Sequence, residues 1–388
     1  MDRIVGIVRE FCSGNQTRLF ATFTELCAID SEPTCERLMA DRMTRQLQSL
    51  GFSVSEDGTG ERIGGTAGNL YARLEGNAAG EPLLFSCHLD RVAPGNGVKP
   101  RIEGDYISSD GTTVLGADDA AGLAAILEGI TALKEAGKPY PTIELVLTVA
   151  EELALVGSGW FDLSQVSSRI GFILDAGGPI GEIVLQAPEQ INFSAVFHGR
   201  SAHAGFAPEE GVSAIQIAGT AISRMGLLRI DAETTANIGS IYASGPTNIV
   251  PDRCELQGEV RSLQPAKVQA HAAALTAVME TAAREYGGTV EVDRKPCYPA
   301  YKLKEDCEPA GRAARAAGKI GVPVRFKATG GGSDANIFNS RGLPSVVLSC
   351  GYEKVHTTDE RIPLKQLALL AEWVLAIIAD GRNGEADQ

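Results

Sequence analysis

The sequence has no cluster of lysine and arginine. Its 35 basic residues are scattered among 49 acidic ones, leaving a formal net charge of −14. A phosphate backbone is bound by a basic patch, so this balance argues against nucleic acid as a partner, and against an anionic membrane surface for the same reason. The excess acid serves mainly solubility, with part of it available to neutralise bound cations. Long apolar runs are also missing. No stretch reaches the roughly 18 apolar residues that a membrane span requires, and Met1 to Phe20 lacks a basic region followed by an apolar one. The expectation is a chain that stays in the cytoplasm. Paired cysteines are absent too. Cys12, Cys27, Cys35, Cys87, Cys254, Cys297, Cys307 and Cys350 are scattered with no CxxC, which excludes a zinc ribbon and a thioredoxin motif and leaves reduced, mostly buried thiols.

What is present is an ordinary globular composition, 44% hydrophobic and 22% charged over 388 residues. That length accommodates two domains, or one large domain with an insertion. Leu38, Met43, Leu47 and Leu50 recur at near-helical spacing, predicting a helix over Thr34 to Leu50 closed by Gly51. Buried strands are predicted at Pro82 to Cys87, Thr142 to Ala150 and Gly171 to Leu174, with a helix from Ala120 to Ala136 between them. Strands alternating with helices indicate a layered α/β core.

The pattern changes after about Pro188. Strands at Ile191 to Phe197, Asn237 to Tyr242, Arg253 to Leu263 and Thr289 to Asp293 alternate with helices at Gly211 to Met225 and Pro265 to Tyr286. The order β-α-β-β-α-β is the ferredoxin-like unit. We therefore expect an α+β domain at 189–297 inserted into an α/β domain made of 1–188 and 298–388, which ends in a helix from Pro363 to Ala379.

Five sets of metal-binding side chains stand where predicted elements end: His88 and Asp90, Asp118 and Asp119, Glu151 and Glu152, Asp175, and His356. Each has an ordinary reading. HxD after a strand is commonly a turn, Asp-Asp before a helix commonly a cap, and a late histidine commonly structural. Glu151 and Glu152, however, directly follow an apolar strand, where like charges crowd unless a cation relieves them. All five at element edges point to a shared site. Imidazoles and carboxylates without cysteine suit a divalent cation of borderline hardness, zinc best, with manganese and cobalt also compatible. Two such cations can share a carboxylate, acidify a water and polarise a carbonyl.

The motifs SCHLD (86–90), SSDGTTVLGADDAAG (108–122), TVAEE (148–152), ILDAGG (173–178), GRSAHAG (199–205), NIVPDRCELQGEVRS (248–262), TGGGSDANIF (329–338) and VHTTDE (355–360) stand in the order of the M20 family of metallopeptidases. The chain resembles its peptidase T-like branch. The resemblance implies a zinc-peptidase-like mixed sheet flanked by helices, carrying an inserted ferredoxin-like lid. It implies two cations. His88 and Asp175 would hold one, His356 and Glu152 the other, and Asp118 would bridge them. Glu151 matches the general base, and Asp90 the carboxylate that orients His88. His203 matches a lid residue that stabilises the oxyanion, supplied in dimeric members by the partner subunit. Asn248, Arg261, Gly331 and Ser333 match positions on the substrate side. A homodimer through the lid is the implied assembly.

Two departures bear on specificity. The family's lysine after Asp-Asp is Ala120, and the arginine that precedes the glycine loop in peptidase T is Gly330. With that arginine missing, Arg261 is the remaining candidate to grip a substrate carboxylate. The implied activity is removal of the N-terminal residue from short peptides such as tripeptides. An amidase or deacylase of N-acyl amino acids would use the same site, and a metal-stabilised peptide-binding protein is the non-enzymatic alternative, which has no use for Glu151.

Overall fold

The computed structural model describes residues 16–380. Its main sheet is mixed. The strands lie in the order Ser53–Glu56, Leu70–Leu74, Ile143–Thr148, Leu83–His88, Gly171–Ala176, Ser345–Ser349 and Glu182–Ala187. Leu83–His88 runs parallel to Ile143–Thr148 and Gly171–Ala176, and Ser345–Ser349 runs parallel to Gly171–Ala176. These central strands read as unbroken apolar runs because both faces are covered. Every residue of Leu83–His88, Ile143–Thr148 and Ser345–Ser349 is buried. Parallel alignment brings the carboxyl ends of these four strands to one edge, where the strand ends and the loops that follow them carry the candidate ligands.

The helix Ala117–Glu135 packs against the helix Leu364–Asp380, which also packs against Glu308–Lys319. Covered nearly all round, Ala117–Glu135 is apolar on every face rather than striped. Gly122 lets it close on the sheet: a Cβ there would lie 2.5 Å from Asp119 Oδ1 and 2.7 Å from Cys87 Sγ. Trp373 is fully buried and donates from Nε1 to Ala313 O at 2.9 Å.

A second compact unit comprises Gln186–Tyr301 with Thr329–Gly332. Its sheet has the order Leu228–Arg229, Thr234–Tyr242, Arg253–Ser262, Glu189–His198, Thr289–Tyr298. The last four strands are antiparallel in ferredoxin-like order, backed by the helices Ala214–Arg224 and Pro265–Glu285. Its own apolar core includes Phe193, Phe197, Ile217, Leu256 and Met279. The segment Thr329–Gly332, expected with the α/β part, belongs to this unit instead. Gly332 touches the Tyr298 ring so closely that an added Cβ would sit 2.3 Å from it.

Most predicted elements match observed ones to within a few residues. The first predicted helix is shorter, Arg37–Ser49, and Leu38 lies outside its buried face at 61% exposure. Met39, Ala40, Met43 and Leu47 fill that face instead. Cys12 lies outside the described residues. The other seven cysteines are free, with Cys27, Cys87, Cys254 and Cys350 buried, Cys297 and Cys307 half-buried, and Cys35 exposed. No helix among the described residues is long and apolar enough to cross a membrane.

Glu144 stands in a central strand with its side chain fully buried. Its carboxylate accepts from Tyr71 Oη at 2.6 Å, Arg73 Nη1 at 2.8 Å, Ser167 Oγ at 2.9 Å and the Ser168 amide at 2.7 Å. Burial works against the charge, but these donors outweigh it and hold the pKa below the ordinary glutamate value. The stability it contributes is therefore present above the unfolded-state pKa and lost as pH falls through the folded one. Glu144→Ala is expected to cost about 3 kcal/mol, since it strands buried donors, as read from urea unfolding at neutral pH.

Candidate active site and metal centre

Each candidate ligand is fixed by the element that carries it. His88 ends the strand Leu83–His88 and is 2% exposed. Asp118 precedes the regular part of the helix Ala117–Glu135, with φ −84° and ψ 100°. Asp119 begins that regular part: its Oδ1 accepts the Gly122 amide at 3.2 Å, and its Oδ2 the His88 amide at 3.3 Å. The cap and ligand readings of the Asp-Asp pair thus fall on different residues. Asp175 stands near the end of Gly171–Ala176. His356 lies on a loop closed by the Glu353–Arg361 bridge, with φ at 61°. A non-glycine residue holds that conformation only where its surroundings impose it.

These residues converge. His88 Nε2 lies 2.9 Å from Asp118 Oδ1 and 3.7 Å from Asp175 Oδ1. His356 Nε2 lies 3.1 Å from Glu152 Oε1 and 3.5 Å from Asp118 Oδ2. Asp118 therefore turns one oxygen to each imidazole. In each of the sets His88–Asp118–Asp175, Asp118–Glu152–His356 and His88–Glu151–Glu152, the donor atoms lie within 4.8 Å of one another.

Asp90 faces both His88 and the glutamate turn. The acceptor nearest His88 Nδ1 is the Asp90 backbone carbonyl at 2.9 Å, with the carboxylate at 3.4 Å. Its carboxylate oxygens also take the backbone amides of Glu151 and Glu152, at 3.0 and 3.1 Å.

The electrostatics are those of a cage that holds too much negative charge. Burial, reinforced by Asp118, pushes the Asp175 carboxyl up to about 8. Burial and the neighbouring Asp175 raise Glu151 well above the ordinary range. Burial alone would raise Asp118, but hydrogen bonds from His356 and His88 outweigh it and hold the carboxyl below the usual range. Burial opposes a charge on His88, yet Asp118, Asp175 and Asp90 together raise its pKa well above the ordinary value. Hydrogen bonds to Asp118 and Glu152 raise His356 to about 10. Two imidazoles and the carboxylates of Asp118, Glu151, Glu152 and Asp175 fit a divalent-cation site: the donors are hard or borderline, and the crowded acids need positive charge.

Two buried residues here escaped the sequence reading. Tyr352 points its hydroxyl at Asp118 Oδ1, 3.3 Å, and at Asp175 Oδ1, 3.5 Å. Glu360, 1% exposed, accepts the amides of Gly116 and Asp118 at 2.8 and 3.1 Å. Burial and the charge of Asp118 raise Glu360 to about 7. Both flank His356 by four residues in GYEKVHTTDE, a spacing that carried no signal by itself.

His203, Asn248, Arg261 and Gly331 belong to the second unit. His203 is exposed, and its Nδ1 accepts the amides of Gly205 and Phe206 at 3.2 and 3.0 Å. Asn248 is also exposed, and its carbonyl takes the Ala204 amide at 2.9 Å. Arg261 is paired with Glu259 through Nε and Nη2 at 2.8 and 2.9 Å. Ser333 belongs to the first unit. It is 4% exposed at the head of the helix Asp334–Ser340, where Asn336 Oδ1 accepts its amide at 3.1 Å.

Known proteins resemble the chain along its whole length. Residues 190–287 match the peptidase dimerisation domain of the M20 family, and residues 69–186 match peptidase family M28. YqjE of Bacillus subtilis, an uncharacterised protein, is 44% identical over 366 residues, 94% of this chain and 99% of that protein. The structure of aminopeptidase PepT from Bacillus cereus superposes with a TM-score of 0.83 at 45% identity, covering 94% of this chain and 98% of that one. A tripeptidase from Staphylococcus aureus superposes at 0.89 with 41% identity, over 95% and 99% of the two chains. Fold and site together define a metal-dependent peptidase. The chain belongs to the M20 family, in its peptidase T-like branch.

At pH 7 the metal-free site keeps protons on Asp175 and His356, whose pKa values are about 8 and about 10. A ligating group must shed its proton, so affinity for a cation rises with pH across that range. His88, also raised well above its ordinary value, must shed a proton as well, so zinc binding at pH 7 is expected to release at least two protons per chain, measured by calorimetry in buffers of differing ionisation enthalpy. An absence of release would contradict these residues as ligands.

Proposed function

We propose that the chain is a cytoplasmic aminopeptidase of short peptides, tripeptides among them, that works with two divalent cations, zinc by the chemistry of the donors. The observation that carries this reading is the convergence of two imidazole–carboxylate groups on the shared Asp118, with Glu151 beside them. His88 and Asp175 would hold one cation and His356 and Glu152 the other, with Asp118 between them. When bound, such a pair supplies Lewis acidity that lowers the pKa of water and polarises the scissile carbonyl.

The protein's own groups do the rest. Glu151 is buried and its carboxyl favours the protonated form. Bound cations would offset the burial and the Asp175 charge that favour that proton, and as a carboxylate Glu151 is suited to take a proton from the attacking water and pass it to the departing amine nitrogen. Asp90 holds the backbone of Glu151 and Glu152 through their amides. His203 accepts two amides at Nδ1, which leaves the neutral ring its proton on Nε2 as a donor for a developing oxyanion.

A homodimer belongs to the same proposal. His203 and Asn248 lie beyond the Arg253 end of the strand Arg253–Ser262, whereas Arg261 is at the other end. That is about 25 Å along the strand, against about 10 Å for an extended tripeptide. One copy of this unit cannot bring both residues to one short substrate. A second copy supplying His203 and Asn248 resolves the conflict, leaving Arg261 and Gly331 to the first.

Glu151→Gln is expected to lower kcat at least about 100-fold while metal analysis still finds two cations per chain; retained turnover would remove Glu151 from its role. Free tripeptides should be cleaved in preference to their N-acetylated forms, and the reverse order would indicate the acylase alternative. Glu151→Gln and His203→Ala chains, each inactive alone, should regain activity when co-assembled, because the mixed dimer contains one intact site. Failure to complement would assign His203 to its own subunit.

A further inference from the structure

The turn after the strand Ile143–Thr148 carries Glu151 and Glu152, and its backbone is costly. Ala150, Ala154 and Leu155 have φ values of 51°, 67° and 63°, a region that residues with a Cβ avoid. Such a turn holds only if its surroundings determine it. Here side chains from three distant segments take four consecutive amides. Val149 donates to Asn69 Oδ1 at 3.0 Å, Ala150 to Glu36 Oε1 at 3.0 Å, and Glu151 and Glu152 to the two oxygens of Asp90 at 3.0 and 3.1 Å.

Asn69 and Asp90 have other partners. Asn69 donates to Asp57, Thr59 and the Gly157 carbonyl, and Asp90 stands against His88. Glu36 has its other hydrogen bond within its own loop. It precedes the helix Arg37–Ser49 yet forms no cap bond to it. The residue is fully buried. Its Oε1 also receives the amide of Thr34, another residue at positive φ, 70°. Oε2 has no hydrogen-bond partner among the described residues. Burying a carboxylate with one idle oxygen is unfavourable, and a helix start does not require it. What Glu36 accomplishes is to fix Ala150, the residue before the base.

We propose that Glu36 is a positioning residue for Glu151: its Oε1 holds the Ala150 amide and so sets the direction in which the Glu151 side chain leaves the strand. Glu36 reaches no substrate. It acts through one backbone hydrogen bond at the point where the chain turns into the site. This inference rests on Glu151 being the general base.

The test compares two substitutions of similar volume in the full-length, metal-loaded enzyme. Glu36→Met removes the acceptor, and Glu36→Gln keeps one. Glu36→Met is expected to lower kcat about 10- to 100-fold, with KM little changed and two cations retained by metal analysis. Glu36→Gln is expected to recover most of that loss. Full activity in folded Glu36→Met would overturn the proposal, as would a Glu36→Gln enzyme impaired to the same degree. If Glu36→Met does not fold, Glu36→Asp serves instead: it keeps the charge but withdraws the oxygen by one methylene, and full activity there overturns the proposal equally. Glu151→Gln, assayed alongside, separates the two failures. An active Glu151→Gln enzyme refutes the base, whereas an inactive one beside a normal Glu36→Met refutes only the positioning.

Discussion

Carboxylates repel one another, and repel most strongly away from water. The α/β unit nevertheless gathers Asp118, Glu151, Glu152 and Asp175 around two imidazoles at one edge of its sheet. Most of the local architecture manages that concentration of charge. Four parallel strands bring their ends to one place, and the bulk of that unit's apolar core lies behind them. Backbone amides and buried acids then fix each candidate ligand, so a bound cation would relieve the repulsion without movement of the chain.

The supporting interactions share a chemical form. Asp90 holds two amides of the glutamate turn, Asp119 takes the amide of His88, and Glu360 takes those of Gly116 and Asp118. In each case a carboxylate outside the ligand set fastens the backbone of a ligand. Ion pairs would bring further charges whose partners could exchange. Amides are fixed donors, so the ligand geometry is inherited from the fold.

Much of this was legible in the sequence, and the reason differs by element. Buried parallel strands such as LLFSCH announce themselves as apolar runs, and the inserted unit by its order of strands and helices. The five candidate ligands stand beside such runs, where a polar residue is conspicuous. Tyr352, Glu360 and Glu36 were not legible, because nothing local separates a buried acid from a solvated one; only tertiary packing does. Leu38 failed in the opposite sense: it continues the apolar spacing of its helix, yet the sheet covers the face next to it. The small sheet formed by Arg101–Glu103, Tyr106–Ser108 and Arg361–Pro363 was also missed. Its strands are three residues long, too short for an alternation to register, and one comes from the far end of the chain.

The two imidazoles differ in access. His88 is sealed within a strand at 2% exposure, whereas the His356 side chain is 49% exposed at a loop tip. An ion coordinated by the first would be held among side chains that are nearly all covered, with His88, Asp118 and Asp175 at 2%, 13% and 10% exposure. One coordinated by the second faces solvent and is held by a loop that can relax from its left-handed residue. Under scarcity, the two positions should therefore empty in sequence. The outer one would follow the surrounding pool of free ion, and the inner one would behave as a permanent part of the fold.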